Sequence, residues 1–446
     1  MLQSFFRRFS RFSNDSDLAK PPCSPHLWQN SMNAELTTMT APQRNDSAVI
    51  GSISPPAPMT VPATRAACDT VAIPAYIWCM LLAITSDMIG AYWDVAWHLS
   101  IGRDTFWTPA HVAIQLCGVL AGLTSAFLIL STTFGRGPAA LARRAASLRI
   151  WSFRGPLGAF IAAWGAFAMV ASAPFDNWWH NAYGLDVTIL SPPHVVLTSG
   201  SVAIDIGTLI LIGGVMNRSQ GRLRVKLRQM FLYVGGIIVM HDCFLVSEHT
   251  GKEMLHSATA YLIVTLAVLV VLLGVARASE HPWAHTAIAT IYTAGVLAQL
   301  WILPLFRAQP RLGPVYQNVT HFIPMAFPLL LVVPALTLDL LRRVTSAWRP
   351  WLQAAAVGIA FLVSFVCAQW PFASFLMSPL SRNRIFGTHY FAYSDTAGFM
   401  YDPYQFQALE STRAQFWIVM TVALVVAILS VRLAFIWANW LKQVQR

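Results

Sequence analysis

Ten apolar blocks run along this chain, each close to the roughly 20 residues that an α-helix needs to cross the hydrocarbon core of a bilayer. They cover about residues 71–97, 110–131, 155–176, 194–215, 229–248, 256–276, 285–305, 320–341, 351–370 and 415–438. An outer-membrane barrel would instead show weakly alternating segments of about 10 residues. The expected fold is therefore all-α, a polytopic transmembrane bundle of about ten helices in the lipid bilayer. Composition agrees: 56% of the 446 residues are hydrophobic and 11% charged, against about 25% charged in ordinary soluble domains.

The net charge of +11 does not point to nucleic acid, because the positive residues sit in alternate connections. Arg136, Arg143, Arg144, Arg149 and Arg154 fill the second, and Arg218, Arg222, Arg224, Lys226 and Arg228 the fourth. Arg342, Arg343 and Arg349 follow the eighth block, and Lys442 and Arg446 close the chain. The other connections carry scattered positives such as Arg103 and Lys252. The positive-inside rule then puts both termini in the cytoplasm of a cell with this protein in its inner membrane. Cys79, Cys117, Cys243 and Cys367 lie inside predicted helices without a Cys-x-x-Cys spacing, so no thiolate metal site is indicated.

Residues 1–70 are rich in Ser, Thr, Asn and Pro without a hydrophobic period, and read as a disordered cytoplasmic tail. Residues 71–215 form a four-helix unit carrying the motifs below, and residues 216–446 supply six further helices. The long connection at about 371–414, rich in Gly, Pro and Tyr, reads as an ordered outer loop.

Polar groups interrupt this apolar background twice, in the same pattern. The stretch from Asp94 to His111, DVAWHLSIGRDTFWTPAH, has Asp94, Trp97, His98, Gly102, Asp104, Thr108, Pro109 and His111 as landmarks. The stretch from Asp176 to His194, DNWWHNAYGLDVTILSPPH, repeats them as Asp176, Trp179, His180, Gly184, Asp186, Ser191, Pro192 and His194, with one extra residue before the Ser-Pro. Asp and His four apart share one face of a helix. Ser or Thr followed by Pro is a helix start, with the hydroxyl as cap and Pro at the first position. Each hairpin thus gathers one carboxylate and two imidazoles at the outer interface. The positive end of a helix dipole disfavours imidazolium at His111 and His194 and leaves a ring nitrogen free to donate. Two histidines and one carboxylate make a facial metal site with open positions, which suggests chemistry rather than structure. A single copy would read more plainly as an interfacial aromatic belt of Trp93, Trp97, Trp107, Trp178 and Trp179 around a hydrogen-bonded histidine. Two copies favour metal.

The first stretch resembles the metal-binding segment of the C subunit of copper membrane monooxygenases, the particulate methane and ammonia monooxygenases, in its Asp, Trp-His, Arg-Asp-Thr, Thr-Pro and His. That resemblance implies copper-ligand roles for Asp94, His98 and His111, with this site the catalytic one. The second stretch resembles the neighbouring copper site of that family, which implies ligand roles for Asp176, His180 and His194. Asp176 stands where the family pattern has Asn, and a carboxylate favours harder ions than an amide does. The likeness covers about residues 75–215. It implies oxygen insertion from dioxygen into a small apolar substrate such as an alkane or ammonia, with electrons from quinol or another donor and with partner subunits.

Further ionisable groups fall within the blocks. Asp87 shares a helix face with Asp94, Asp205 lies ~16 Å deeper than His194 at ~1.5 Å per residue, and Gln115 is one turn below His111. The functional reading is a proton route or support for the metal; the plainer one is helix–helix hydrogen bonding. His241 and Asp242 are expected to point into the bundle. His249, Glu253 and His256 would share a face only on a continuous helix, and His321 and His389 fall in outer connections. Two rival functions use the same residues. A metal-handling or proton-coupled transporter would use the hairpins as halves of an ion site, and a quinol-oxidising protein would use the histidines for haem b.

Overall fold

Prolines open four of the helices, Pro109, Pro138, Pro192 and Pro350, at positions where a missing N–H leaves no bond unmade. The computed structural model describes residues 73–102, 105, 107–183, 191–311, 319–387 and 405–445. Eleven helices are described: α1 (Ala75–Ser100), α2 (Pro109–Phe134), α3 (Pro138–Ala145), α4 (Leu157–Tyr183), α5 (Pro192–Arg218), α6 (Gly221–Leu245), α7 (Ala258–Ser279), α8 (Ala284–Ile302), α9 (Val332–Thr345), α10 (Pro350–Leu376) and α11 (Arg413–Gln443). A short hairpin of β1 (Leu148–Ile150) and β2 (Phe153–Gly155) links α3 to α4. The tail before residue 71 lies outside the described residues.

The protein is a polytopic membrane helix bundle. Eight helices are long and apolar enough to cross a membrane: α1, α2, α4, α5, α7, α8 with the turn that follows it, α10 and α11. Two of the ten expected spans depart from that pattern. The block at 229–248 lies in α6, which is 25 residues long but opens with Arg222, Arg224, Lys226 and Arg228. It is the central helix, packed on α1, α5, α7 and α8, and its second half is almost wholly buried.

The block at 320–341 is helical only from Val332. Pro324 and Pro328 break it, and residues 319–331 run as irregular chain. Its amides find partners on neighbouring elements. Ile323 N donates to Ser100 Oγ (2.7 Å), Leu329 N to Tyr292 Oη (2.9 Å) and Leu330 N to Gln369 Oε1 (2.8 Å). Such backbone is tolerated among membrane helices only where protein surrounds it and satisfies it.

Helices α4 and α5 pack backbone against backbone. A Cβ built at Gly165 would lie 2.5 Å from Gly200 O, one at Gly200 2.6 Å from Gly165 O, and one at Gly207 2.7 Å from Gly158 O. Small residues at seven-residue spacing on both helices permit this approach. The outer connection is tied down at its far end. Glu410 Oε1 accepts from Thr259 N (2.7 Å) and Thr259 Oγ1 (2.6 Å), which places an anion at the start of α7. The middle of that connection, 388–404, lies outside the described residues.

Candidate metal centre

Helix α1 ends where the first motif needs it to. Ile101 N and Gly102 N both donate to Trp97 O, and Gly102 turns the chain away at φ +81°. That left-handed turn suits glycine and leaves Asp94 and His98 on the last turns of the helix. Thr108 is the residue before α2, with Pro109 first in the helix, so His111 falls in its first turn. The hydroxyl does not cap α2 as expected: it accepts from Thr105 N (2.9 Å) and so ties the connection to the helix start. In the second copy Ser191 occupies the same place before Pro192 and Pro193, and its Oγ is buried without a hydrogen-bond partner among the described residues. With two prolines opening α5, the nearest capping amides are missing.

The first triad closes on a common point. Asp94 Oδ1 lies 3.0 Å from His111 Nε2, and Asp94 Oδ2 lies 3.7 Å from His98 Nε2. Ligand atoms from all three residues fall within 4.8 Å of one another. His111 Nδ1 is 3.0 Å from Thr105 O. A carbonyl oxygen only accepts, so Nδ1 carries the proton and Nε2 faces a carboxylate. That contact is favourable only if the ring is cationic or a cation sits between the two. Holding the outer ring nitrogen with a backbone carbonyl is how proteins orient a metal-bound histidine.

The second triad converges through one atom. Asp176 Oδ1 is 3.5 Å from His180 Nε2 and 3.6 Å from His194 Nε2. Asp176, rather than Asn177, makes the contact. Neither Asp176 Oδ1 nor His180 Nε2 has a hydrogen-bond partner among the described residues, although both atoms are buried. Two ligand atoms each ~2.0–2.2 Å from one ion, at angles of ~90–120°, are themselves roughly 2.9–3.7 Å apart. All four carboxylate–imidazole distances fall in that range. The residues present therefore fit a metal ion at the first hairpin, whereas at the second each imidazole meets Asp176 but the three ligand atoms do not gather as closely, and among the described residues only the first triad brings all three within 4.8 Å. The two triads are neighbours at one end of the bundle, since His194 is close enough to act electrostatically on Asp94.

The tryptophans divide between two roles. Trp107 and Trp178 are exposed, as an interfacial belt requires. Trp93 and Trp97 pack inward on Ala96, Ile101, Leu303, Ala308 and Phe322. Phe322 of the irregular segment, with Leu303 and Ala308, thus backs the two tryptophans that flank the first triad on α1.

Below the triads lies a buried polar cluster. Ser201 Oγ donates to Asp87 Oδ2, and His241 Nδ1 is 2.9 Å from Asp205 Oδ2. Asp87, Ser201, Asp205 and His241 are all buried. His241 therefore points into the bundle as expected, and Asp242, though half-buried as a residue, has its Oδ2 buried as well. The set His249, Glu253 and His256 does not assemble, because Ser247–His249 and Lys252–Met254 form two separate turns. His256 instead stacks between Trp370 and Phe406, with ring centroids 4.1 and 3.7 Å away. His321 Nδ1 meets Thr320 Oγ1 at 3.0 Å. Asp104, Gly184, Asp186 and His389 lie outside the described residues.

One further group was missed in the sequence. Asp339 Oδ1 is 2.6 Å from His285 Nδ1, and its Oδ2 accepts from Thr286 N (2.8 Å) and Thr286 Oγ1 (2.7 Å), pinning α9 to the first turn of α8. The acid and its partners are 53 and 54 positions apart, which no local spacing reveals. No protein-family model, curated protein or solved structure matches the chain.

Proposed function

We propose that this protein is a copper-dependent membrane oxidoreductase of the monooxygenase type. Its active ion would be held by Asp94, His98 and His111, and a second by Asp176, His180 and His194. The observation that carries this reading is the convergence of the first triad, in which His111 Nδ1 lies 3.0 Å from Thr105 O while Nε2 faces Asp94 at 3.0 Å and His98 completes the group. The resemblance of both hairpins to the copper membrane monooxygenases supports the choice of metal. Bound copper would supply oxygen activation, and the substrate class is a small apolar molecule such as an alkane or ammonia. Quinol or another donor would provide electrons, and partner subunits would complete the assembly. The chain's own residues orient the ligands: Thr105 fixes the His111 ring, and Trp93 and Trp97 with Phe322 keep one side of the site apolar. The basic connections favour an inner-membrane protein with its triads on the periplasmic side.

A transporter is the second reading, favoured by the irregular chain at 319–331 and by the buried Asp87, Asp205 and His241. Broken helices beside buried carboxylates are how many carriers build an ion site.

Metal analysis of the purified full-length protein beside His98→Ala and His180→Ala decides the assignment. Each variant is expected to lose the ion of its own hairpin. Unchanged copper content in both sinks the ligand assignment. Loss of copper together with metal-ion uptake by wild-type proteoliposomes favours the carrier over the oxidoreductase.

A further inference from the structure

At the far end of α2 from the triads, ~39 Å away for 26 residues at ~1.5 Å each, the connection to α4 folds around a cleft of about 420 Å³. Thr133, Arg144, Arg149, Ser152 and Arg154 line it. The β-hairpin sets Arg149 directly opposite Arg154. Like charges in that register destabilise a two-stranded ribbon unless something neutralises them. Among the described residues no acid pairs with either arginine. No Asp or Glu occurs between Asp104 and Asp176. Other basic groups at this end do have partners: Arg224 and Lys442 meet Glu280, and Arg342 donates to His281 O.

The cationic groups are also held in place. Arg144 donates to Thr132 O (2.8 Å), Thr133 O (2.7 Å) and Gly135 O (3.0 Å), closing the last turn of α2. Thr133 Oγ1 accepts from Arg154 N (2.8 Å), which docks β2 on α2. Arg149 spends only Nε, on Trp151 O (3.0 Å), so the rest of its guanidinium stays available beside that of Arg154.

We propose that this cleft binds the phosphate of an anionic membrane phospholipid. Guanidinium forks match phosphate oxygens in charge and geometry. The surroundings select lipid over free phosphate. Trp151 at the hairpin tip is 79% exposed, Phe134 68% and Leu141 63%, apolar surface that belongs at the boundary between headgroups and acyl chains. A basic pocket at that depth is a headgroup site. The site is independent of the metal reading, because it uses none of the same residues.

The test titrates the delipidated full-length protein in neutral detergent with phosphatidylglycerol, phosphatidylcholine and inorganic phosphate, and counts retained lipid by native mass spectrometry. Phosphatidylglycerol is expected to be retained in preference to phosphatidylcholine. The double variant Arg149→Gln/Arg154→Gln should weaken retention about thirtyfold, since each basic group near an anionic surface contributes roughly fivefold. Arg349→Gln, a charge lost elsewhere at the same end, should leave it unchanged. Circular dichroism checks that the double variant is folded, and Arg149→Lys/Arg154→Lys, which keeps both charges, should retain an intermediate amount. Equal retention by wild type and the Gln variant overturns the proposal. So does equal binding of the two lipids, or displacement of phosphatidylglycerol by an equal concentration of inorganic phosphate.

Discussion

The close approach of α4 and α5 makes a prediction that two substitutions of identical chemistry can isolate. A Cβ at Gly200 would sit 2.6 Å from Gly165 O and 2.8 Å from Met169 N. Carbon and carbonyl oxygen rest at ~3.3–3.6 Å, so the helices must separate by up to ~1 Å. Both obstructing atoms are helix backbone and cannot swing aside. At Gly214, in the same helix, the nearest atom to an added Cβ is Arg218 Nη1 at 3.7 Å, which is ordinary contact. Replacing glycine by alanine in a helix gains ~1 kcal/mol from propensity at both positions, and that gain cancels in the comparison. What remains is overpacking, ~1–3 kcal/mol. Gly200→Ala should therefore be less stable than Gly214→Ala by about that amount, read from unfolding in mixed micelles by tryptophan fluorescence. Equal stabilities would refute the backbone contact. The separation should also reach the metal centre unevenly. Asp176 and His180 ride on α4 and His194 on α5, so the 3.6 Å contact between Asp176 and His194 opens. Asp94, His98 and His111 sit on α1 and α2, so the ion proposed for the first triad should be kept.

Two further outcomes follow from buried and half-buried histidines. His241→Leu leaves Asp205 in the bundle interior without its partner, a loss of ~3–5 kcal/mol if the carboxylate is charged. His241→Leu/Asp205→Leu should recover most of it, and a single-variant cost near the ~0.6 kcal/mol typical of neutral hydrogen bonds in membranes would refute a buried ion pair. His256, in the connection before α7, has its pKa lowered from the ordinary 6.5 first by burial, which the hydrogen bond to Trp370 O only partly offsets. A histidine depressed in the folded state binds protons more readily when unfolded, so its contribution is complete above about pH 6.5 and declines as the pH falls through that range. His256→Phe should flatten that part of a melting-temperature profile; an unchanged slope removes His256 as its cause.

The bundle was legible because its signal is repeated: each block carries about 20 apolar residues, and helices are the only open-ended way to satisfy that much backbone in lipid. The two hairpins were legible for the same reason, since spacing of four brings Asp94 to His98 and Asp176 to His180 on one helix. Residues 319–331 were misread as helix because apolar content alone cannot separate a helix from buried extended chain. Pro324 and Pro328 were the available sign, but the side chains that make the break tolerable, Ser100, Tyr292 and Gln369, come from distant parts of the sequence. Caps failed for a related reason. Thr108 has the right residue type in the right place, yet a competing amide at Thr105 took its hydroxyl.

That irregular segment also explains why the first hairpin is not a free-standing unit. Ser100, two residues beyond His98, donates to Ala96 O (2.6 Å) and accepts from Ile323 N (2.7 Å). Ile101 O accepts from Arg311 N (2.9 Å). The end of α1 is thus fixed from both sides, by its own last turn and by chain more than 200 residues away in sequence. Truncating the protein after α5 would remove Phe322 and Leu303 from the inner faces of Trp93 and Trp97, leaving two large apolar rings and the carboxylate between them to water. A reactive ion held by Asp94, His98 and His111, as proposed above, would need a dry wall behind its open position more than another ligand. Leu303, Ala308 and Phe322, in the connection between α8 and α9, provide the apolar cover over Trp93 and Trp97.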